Sequence, residues 1–301
     1  MAEDQQEQQS SGKWVGVIGV VVIIGTLIAW AGSSGAVTVA GPPALAVAVA
    51  ACFLVQWVAF AFAYARQTET FYDLTGALTY VTVTVGLLVA APSPDARTWV
   101  LAGCVLLWAV RLGGFLFARV RRFGGDDRFD EIKPNFWRFC ATWTIQALWV
   151  SLTAMAAWVA ISSPVRPGGA LAAACLWVGL VLWVAGFALE TTADLQKWRF
   201  KEDRSNQGRF IRDGVWAWSR HPNYLGEITL WVGVFLVAAP VLRGWQWVAV
   251  LSPVFVTFLL TRVSGIPMLE RKAEKRWGDD ADYEEYKRST PVLVPVVGRR
   301  G

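Results

Sequence analysis

Charge is scarce in this chain. Only 17% of its 301 residues are charged, against about 25% in a soluble globular domain, and 55% are apolar. That balance excludes an ordinary soluble domain. Histidine is scarcer still, His221 being the sole one. The cysteines Cys52, Cys104, Cys140 and Cys175 fall in different apolar segments, with no C-x-x-C pair. This favours buried small hydrophobes over a disulfide or zinc site, and no metal is expected. No glycine-rich dinucleotide fingerprint follows a strand-like run, which excludes a Rossmann domain. Flavin and haem attachment motifs, internal repeats and further low-complexity blocks are also lacking.

What the chain has instead is long apolar runs. Eight segments reach spanning length, roughly 14–32, 42–65, 70–91, 98–118, 136–162, 169–193, 224–242 and 245–265, each near the ~20 residues that a bilayer requires. The fold expected is an all-α polytopic membrane helix bundle of about eight spans, or seven if the first segment is peripheral. The opening "MAEDQQEQQSSGK" is acidic and Gln-rich, unlike a secretory signal. Residues 1–13 are expected to form a disordered tail, and 14–301 a single transmembrane domain.

Basic residues set an orientation. Arg119, Arg121, Arg122, Arg128 and Lys133 follow the fourth segment, seven more follow the sixth, and the C-terminal region from 267 carries eight, ending in Arg299 and Arg300. The connections after segments one, three, five and seven hold nothing, Arg97, Arg166 and Arg243 in turn. The positive-inside rule then places the basic loops and both termini in the cytoplasm. Membrane lipid is an expected partner and nucleic acid is not, because the positive charge follows topology and no nucleic-acid-binding motif accompanies it.

Ionisable residues inside spans are costly and by default functional. Asp73, Arg111, Gln146, Glu190, Asp194, Glu227 and Arg262 all fall in the half of their spans assigned to the cytoplasmic side, which favours a polar cavity open to the cytoplasm over snorkelling helix ends. In "ETTADLQKWRFKED", Glu190, Asp194, Lys197 and Lys201 share one helix face that changes from acidic to basic. It is either a salt-bridge ladder or a track for a ligand, hydroxyls or amides on the carboxylates and phosphates on the lysines. The connection 195–223 is rich in arginine; from 194 to 223 seven basic residues face four acidic ones. In "SRHPNYLGE", residues 219–227, Pro222 is suited to the first turn of a helix, directing that helix's free N–H groups toward the cavity. Arg220 and His221 then stand at its rim, with Asn223 and Glu227 inside.

"DLQKWRFK", "GVWAWSRHPNYLGEITLWVG" and "GIPMLERKAEKRWGDDADYEEYKRSTPVLVPV", with "FYDLTGALTY" upstream, resemble the bacterial, functionally uncharacterised branch of the steroid 5-alpha-reductase C-terminal superfamily over roughly residues 66–297. "RHPxYxG" also occurs in related isoprenylcysteine carboxyl and phospholipid methyltransferases. The resemblance implies a protein of the bacterial cytoplasmic membrane that binds NADPH among its C-terminal helices and the loop 195–223, and passes hydride to an activated double bond of a lipid.

On that resemblance Glu190 and Asp194 meet the nicotinamide–ribose region, and Asn223 and Glu227 supply the "N-x-x-G-E" element. Arg262, and Lys201 or Arg199, meet phosphates. The pattern departs from the reductases at Glu190, where a neutral amide is expected, and at Ile266 and Glu270, which replace a histidine and a tyrosine. The implied acid that polarises a substrate carbonyl is sought in Asp73 and Tyr80, seven residues apart on one helix face, with Gly76 leaving room for a ligand and Arg111 on the next span. Tyr72 and Tyr224 are reserve donors. An Asp73–Arg111 structural ion pair is the rival. Tyr283 and Tyr286 are set either to stack on an adenine or to pack at the interface.

Three functions follow: an NADPH-dependent reductase of a steroid-like or prenyl-lipid substrate, an S-adenosylmethionine-dependent lipid or isoprenyl methyltransferase, and a non-enzymatic lipid-binding membrane protein.

Overall fold

The computed structural model describes residues 2–91, 93–123 and 129–295. Arg128, Arg299 and Arg300, counted above among the basic residues, lie outside the described residues. The described chain is helical, with no strand beyond an isolated bridge from Thr38 to Pro43. Among the described residues eight segments are long and apolar enough to cross a membrane, so the all-α polytopic architecture holds. The chain divides into two compact units, residues 1–173 with 238–252, and residues 174–237 with 253–301.

The first unit contains α1 (Ala2–Gly32), α2 (Ala44–Arg66), α3 (Tyr72–Ala90), α4 (Ala96–Phe123) and α5 (Phe136–Ile161). Helix α1 starts at Ala2, where a disordered tail was expected: Ala, Glu and Gln are strong helix formers and extend a helix already nucleated by the apolar run that follows. Helix α5 is apolar all round and is the hub, packing against the other four and against the 3₁₀ segment Gly244–Val250. Its Trp143 and Trp158 are fully buried. Three donors are matched across helices: Trp158 Nε1 donates to Thr84 Oγ1 at 2.9 Å, Trp57 Nε1 to Thr144 Oγ1 at 3.0 Å, and Gln56 Nε2 to Thr79 Oγ1 at 3.1 Å.

Arg97, Arg166 and Arg243, the basic residues of the sparsely charged connections, bond backbone carbonyls. Arg97 Nη2 reaches Ala172 O, Arg166 Nη1 reaches Ser163 O and Arg243 Nη1 reaches Leu242 O, each at 2.7 Å. Ser163 and Leu242 lie just past helix ends, where carbonyls are left over for such donors. The four cysteines are free thiols.

The second unit takes most of α6 (Ala170–Glu202), then α7 (Pro222–Ala238), most of α8 (Leu251–Phe258), α9 (Ile266–Trp277) and α10 (Ala281–Ser289). Helix α6 has 33 residues, about 50 Å at 1.5 Å per residue, so it outruns a ~30 Å hydrocarbon core. Helices α6 and α7 meet through glycines in reciprocal register. A Cβ on Gly179 would stand 2.6 Å from Gly233 O, and one on Gly186 would stand 2.5 Å from Gly226 O. The seven-residue spacing of each pair keeps both glycines on one face, and only hydrogen permits this approach of backbones.

The last span, expected over 245–265, is present but is not one regular helix. It runs from the 3₁₀ segment into α8 and then a π-helical turn, Leu259–Val263. Pro253, near the start of α8, has no N–H to extend the ladder. Past the π turn, a Cβ on Gly265 would stand 2.3 Å from Leu260 O, so only glycine permits that close return.

Candidate functional site

In the second unit, α6 carries the expected acidic-to-basic stripe on one continuous helix, and burial grades along it. Glu190 and Asp194 are buried, Lys197 is half-buried and Lys201 is exposed. The facing surface of α7 comes from the first turns after Pro222. A Cβ on Gly226 would lie 2.6 Å from Glu190 N, so this glycine sets how closely Asn223 and Glu227 approach the α6 carboxylates. Asn223 Nδ2 donates to Asp194 Oδ1 at 3.4 Å, while Asn223 Oδ1 is buried with no donor among the described residues.

The connection between α6 and α7 folds back on α6. Val215 N donates to Gln196 Oε1 at 3.0 Å, Trp216 Nε1 donates to Ala193 O at 3.2 Å, and Lys197 Nζ lies 4.6 Å from the centre of the Trp216 ring. Gly214 has φ +63° and Gln196 occupies the space of a Cβ there, so glycine is required on two counts.

Arg220 and His221 converge on one carboxylate of α9. Arg220 Nη1 donates to Glu270 Oε2 at 2.6 Å, and His221 Nε2 lies 2.7 Å from Glu270 Oε1. Burial holds His221 below its ordinary value near 6.5; the bond to Glu270 raises it, and the charges of Lys197 and Arg220 lower it. At neutral pH the ring is therefore uncharged and donates Nε2–H to Glu270. Tyr224 stacks on the imidazole with ring centres 5.7 Å apart. Glu270 completes a clamp that the sequence does not announce, although an arginine and a histidine next to an apolar helix require a counter-charge.

Arg262 is exposed on the π turn, and among the described residues it makes no ion pair. Arg199 is also exposed. Tyr283 and Tyr286 pack against Phe210, with ring centres at 5.1 and 5.5 Å, and Tyr286 Oη donates to Trp216 O at 2.7 Å. These tyrosines fasten α10 to the loop.

In the first unit, Asp73 and Tyr80 lie on α3 as their spacing requires, but in different surroundings. Asp73 has a side chain 36% exposed and reaches Arg119 Nη2 at 3.9 Å. Tyr80 is buried, edge-on to Trp108 at 5.1 Å. Arg111 is half-buried on α4. The space at Gly76 is taken by the protein itself: a Cβ there would meet Gln146 Nε2 at 2.8 Å, and that amide donates to Tyr72 O at 3.1 Å. Gly76 thus admits an amide from α5, not a ligand. Tyr72 Oη is committed as well, donating to Thr142 O at 3.1 Å. A cavity of about 730 Å³ in this unit is walled by Trp30, Phe53, Trp57 and Trp245 and by none of the expected site residues.

An all-helical membrane protein with a buried acid–amide group on two glycine-locked helices defines the class. The chain belongs to the family described as protein of unknown function (DUF1295), whose model matches residues 59–290, a family of the steroid 5-alpha-reductase-like kind. It is 34% identical over 109 residues to an uncharacterized protein of Schizosaccharomyces pombe, covering 29% of this chain and 32% of that one. It is 24% identical over 123 residues to 3-oxo-5-alpha-steroid 4-dehydrogenase 1 of Rattus norvegicus, covering 41% and 42%. These matches span a third to two fifths of the relatives' lengths. No solved structure matches.

Proposed function

We propose that this protein is an NADPH-dependent reductase of an activated carbon–carbon double bond in a hydrophobic, steroid-like or prenyl-lipid substrate. The observation that carries the proposal is the α6–α7 group. Asp194 is buried and bonded to Asn223, whose own Oδ1 lacks a donor among the described residues, beside Glu190 at the Gly226 contact. Such an acid–amide set suits the hydroxyls and carboxamide of a nicotinamide riboside. Lys197, Arg199, Lys201 and Arg262 supply the charge that its phosphates require. When bound, the cofactor supplies hydride. Asp194 and Asn223 would orient it, Glu190 and Glu227 would accept from its donors, and the close-packed glycines would exclude water. On this reading Asp73, Tyr80 and Arg111 serve the substrate, Tyr80 or Asp73 moving the proton. Similarity to a rat protein named a steroid dehydrogenase supports this reading.

A second reading, an S-adenosylmethionine-dependent methyltransferase, draws support from the Glu270 clamp. Glu270 neutralises Arg220, and the burial that keeps His221 uncharged removes another cation from phosphate binding.

Thermal stabilisation of the protein in detergent separates the readings, since a ligand binding only the folded state raises stability by mass action. NADPH is expected to stabilise most, NADH less and S-adenosylmethionine least, with Asn223→Ala removing most of the shift. Stabilisation by S-adenosylmethionine alone moves the assignment to the methyltransferase, and no response to any of the three moves it to a lipid-binding protein. The topology proposed, with both termini cytoplasmic, is checked by cysteine labelling at positions 166 and 208, which must report opposite sides.

A further inference from the structure

Beyond the α6–α7 group, the second unit holds a small polar cavity of about 270 Å³ where α10 ends. It is lined by Arg220, Lys287, Arg288, Ser289, Thr290 and the strap Pro291–Val292. Small-molecule sites usually measure about 300–1,000 Å³, so this one suits a single group better than a whole cofactor. The strap is held to the "SRHPNYLGE" segment by Arg220 N–H on Pro291 O at 3.0 Å and Ser219 Oγ on Val292 O at 3.4 Å.

Three cations line this cavity, and their commitments differ. Lys287 pairs with Glu274 at 2.6 Å and with Glu284, and Arg220 pairs with Glu270. Arg288 is exposed and has no carboxylate partner among the described residues. Arg220 Nε is buried with no acceptor among them. The C-terminal end of a helix ordinarily repels anions. Here two of the last carbonyls are capped: Thr290 N–H donates to Tyr286 O and Ser289 Oγ to Glu285 O, both at 2.9 Å. What remains is the Arg220 Nε–H without an acceptor and the Arg288 guanidinium without a carboxylate among the described residues; the Lys287 ammonium, already on two carboxylates, also lies 5.1 Å from the centre of the Tyr283 ring.

We infer that this cavity binds a phosphate group, held by Arg220, Lys287 and Arg288. A compact tetrahedral oxyanion accepts from several donors at once, and guanidinium groups match it in geometry. Because Glu270, Glu274 and Glu284 already neutralise much of the cationic charge, selection rests on donor geometry more than on net charge. A bound phosphate spans Arg220 and Arg288, and so ties α10 and the strap to the start of α7. The inference stands whether or not the protein is a reductase.

The test is calorimetric titration of the full chain, in non-ionic detergent, with inorganic phosphate against chloride at constant ionic strength. Saturable phosphate binding is expected. Arg288→Gln should weaken it tenfold or more, on the order of one charge-assisted hydrogen bond. Arg276→Gln, the same loss of charge on α9 outside the cavity, should leave it within about twofold, the scale of general screening. No saturable binding, or equal effects of the two variants, overturns the inference. The source of the phosphate is read from two further arms. Loss by Arg288→Gln of a preference for phosphatidic acid over phosphatidylcholine nanodiscs assigns a lipid headgroup. Loss of a preference for NADPH over NADH assigns the cofactor's extra phosphate. An Arg288-dependent response to inorganic phosphate alone assigns the free ion.

Discussion

In the first unit the core along α5 is filled by indole and phenyl rings; in the second, α6 and α7 touch backbone to backbone. Trp143, Trp158 and Phe139 are fully buried around α5, and their neighbours are apolar or are Thr and Gln bonded across helices. At the α6–α7 contact the spacers are Gly179, Gly186, Gly226 and Gly233. Large side chains fill a membrane-embedded core by dispersion and leave little room for charge. Glycines remove the spacer, so polar side chains from neighbouring turns come within reach of one another. The buried Glu190 and Asp194 lie in the second kind of contact. A charged site is thus built where side-chain packing is given up, and the same exchange makes it sensitive to the addition of one methyl group.

The largest effect is expected from emptying the first unit's core. Trp158→Ala should cost about 3–5 kcal/mol, the usual figure for a buried tryptophan, read as a fall in the thermal midpoint. The response to ligands of the second unit should persist below that midpoint. Gly226→Val inverts the experiment. The side chain meets Glu190 N, Glu190 Cβ and Gly186 O within 3 Å; about 3 kcal/mol is expected, the upper range for overpacking, with ligand-dependent stabilisation lost. Gly86→Ala, where nothing lies within 4 Å, is the control and should be neutral or slightly stabilising.

A smaller effect is expected at Glu270→Gln. The amide keeps one acceptor and loses the charge shared by Arg220 and His221, costing about 1.5 kcal/mol. Unchanged stability would mean that the clamp is not held as a unit. The smallest effect is on pH dependence. Burial lowers the His221 pKa below 6.5, so the unfolded chain binds the proton first as pH falls. The stabilisation is present in full above about 6.5 and is lost as pH drops through the folded value. The thermal midpoint should decline between about pH 7 and 5, and His221→Gln should flatten that decline; because the chain has one histidine, no other imidazole confuses the profile.

The eight apolar runs, the stripe Glu190–Asp194–Lys197–Lys201 and the helix starting at Pro222 were legible in the sequence, because each depends on spacing along one helix. The pairing of Gly179 and Gly186 with Gly226 and Gly233 emerges only in the structure, because which helix faces which is not written in either segment alone. The use of Gly76 was invisible for the same reason: an empty Cβ position says that something comes close, and only the structure identifies it as Gln146.

Hydropathy and spacing along the chain suffice to place this protein in a bilayer, to make its segments helices and to gather its charges at particular span ends. Those are consequences of hydrophobicity and of a fixed 3.6-residue period, both local. Only the folded arrangement reveals that Glu270 holds Arg220 and His221, that Tyr286 is spent on Trp216 and that the last span breaks into 3₁₀, α and π turns. Pairing of buried charges depends on which side chains arrive together from distant segments. With 49 residues separating His221 from Glu270, no helical period carries that information.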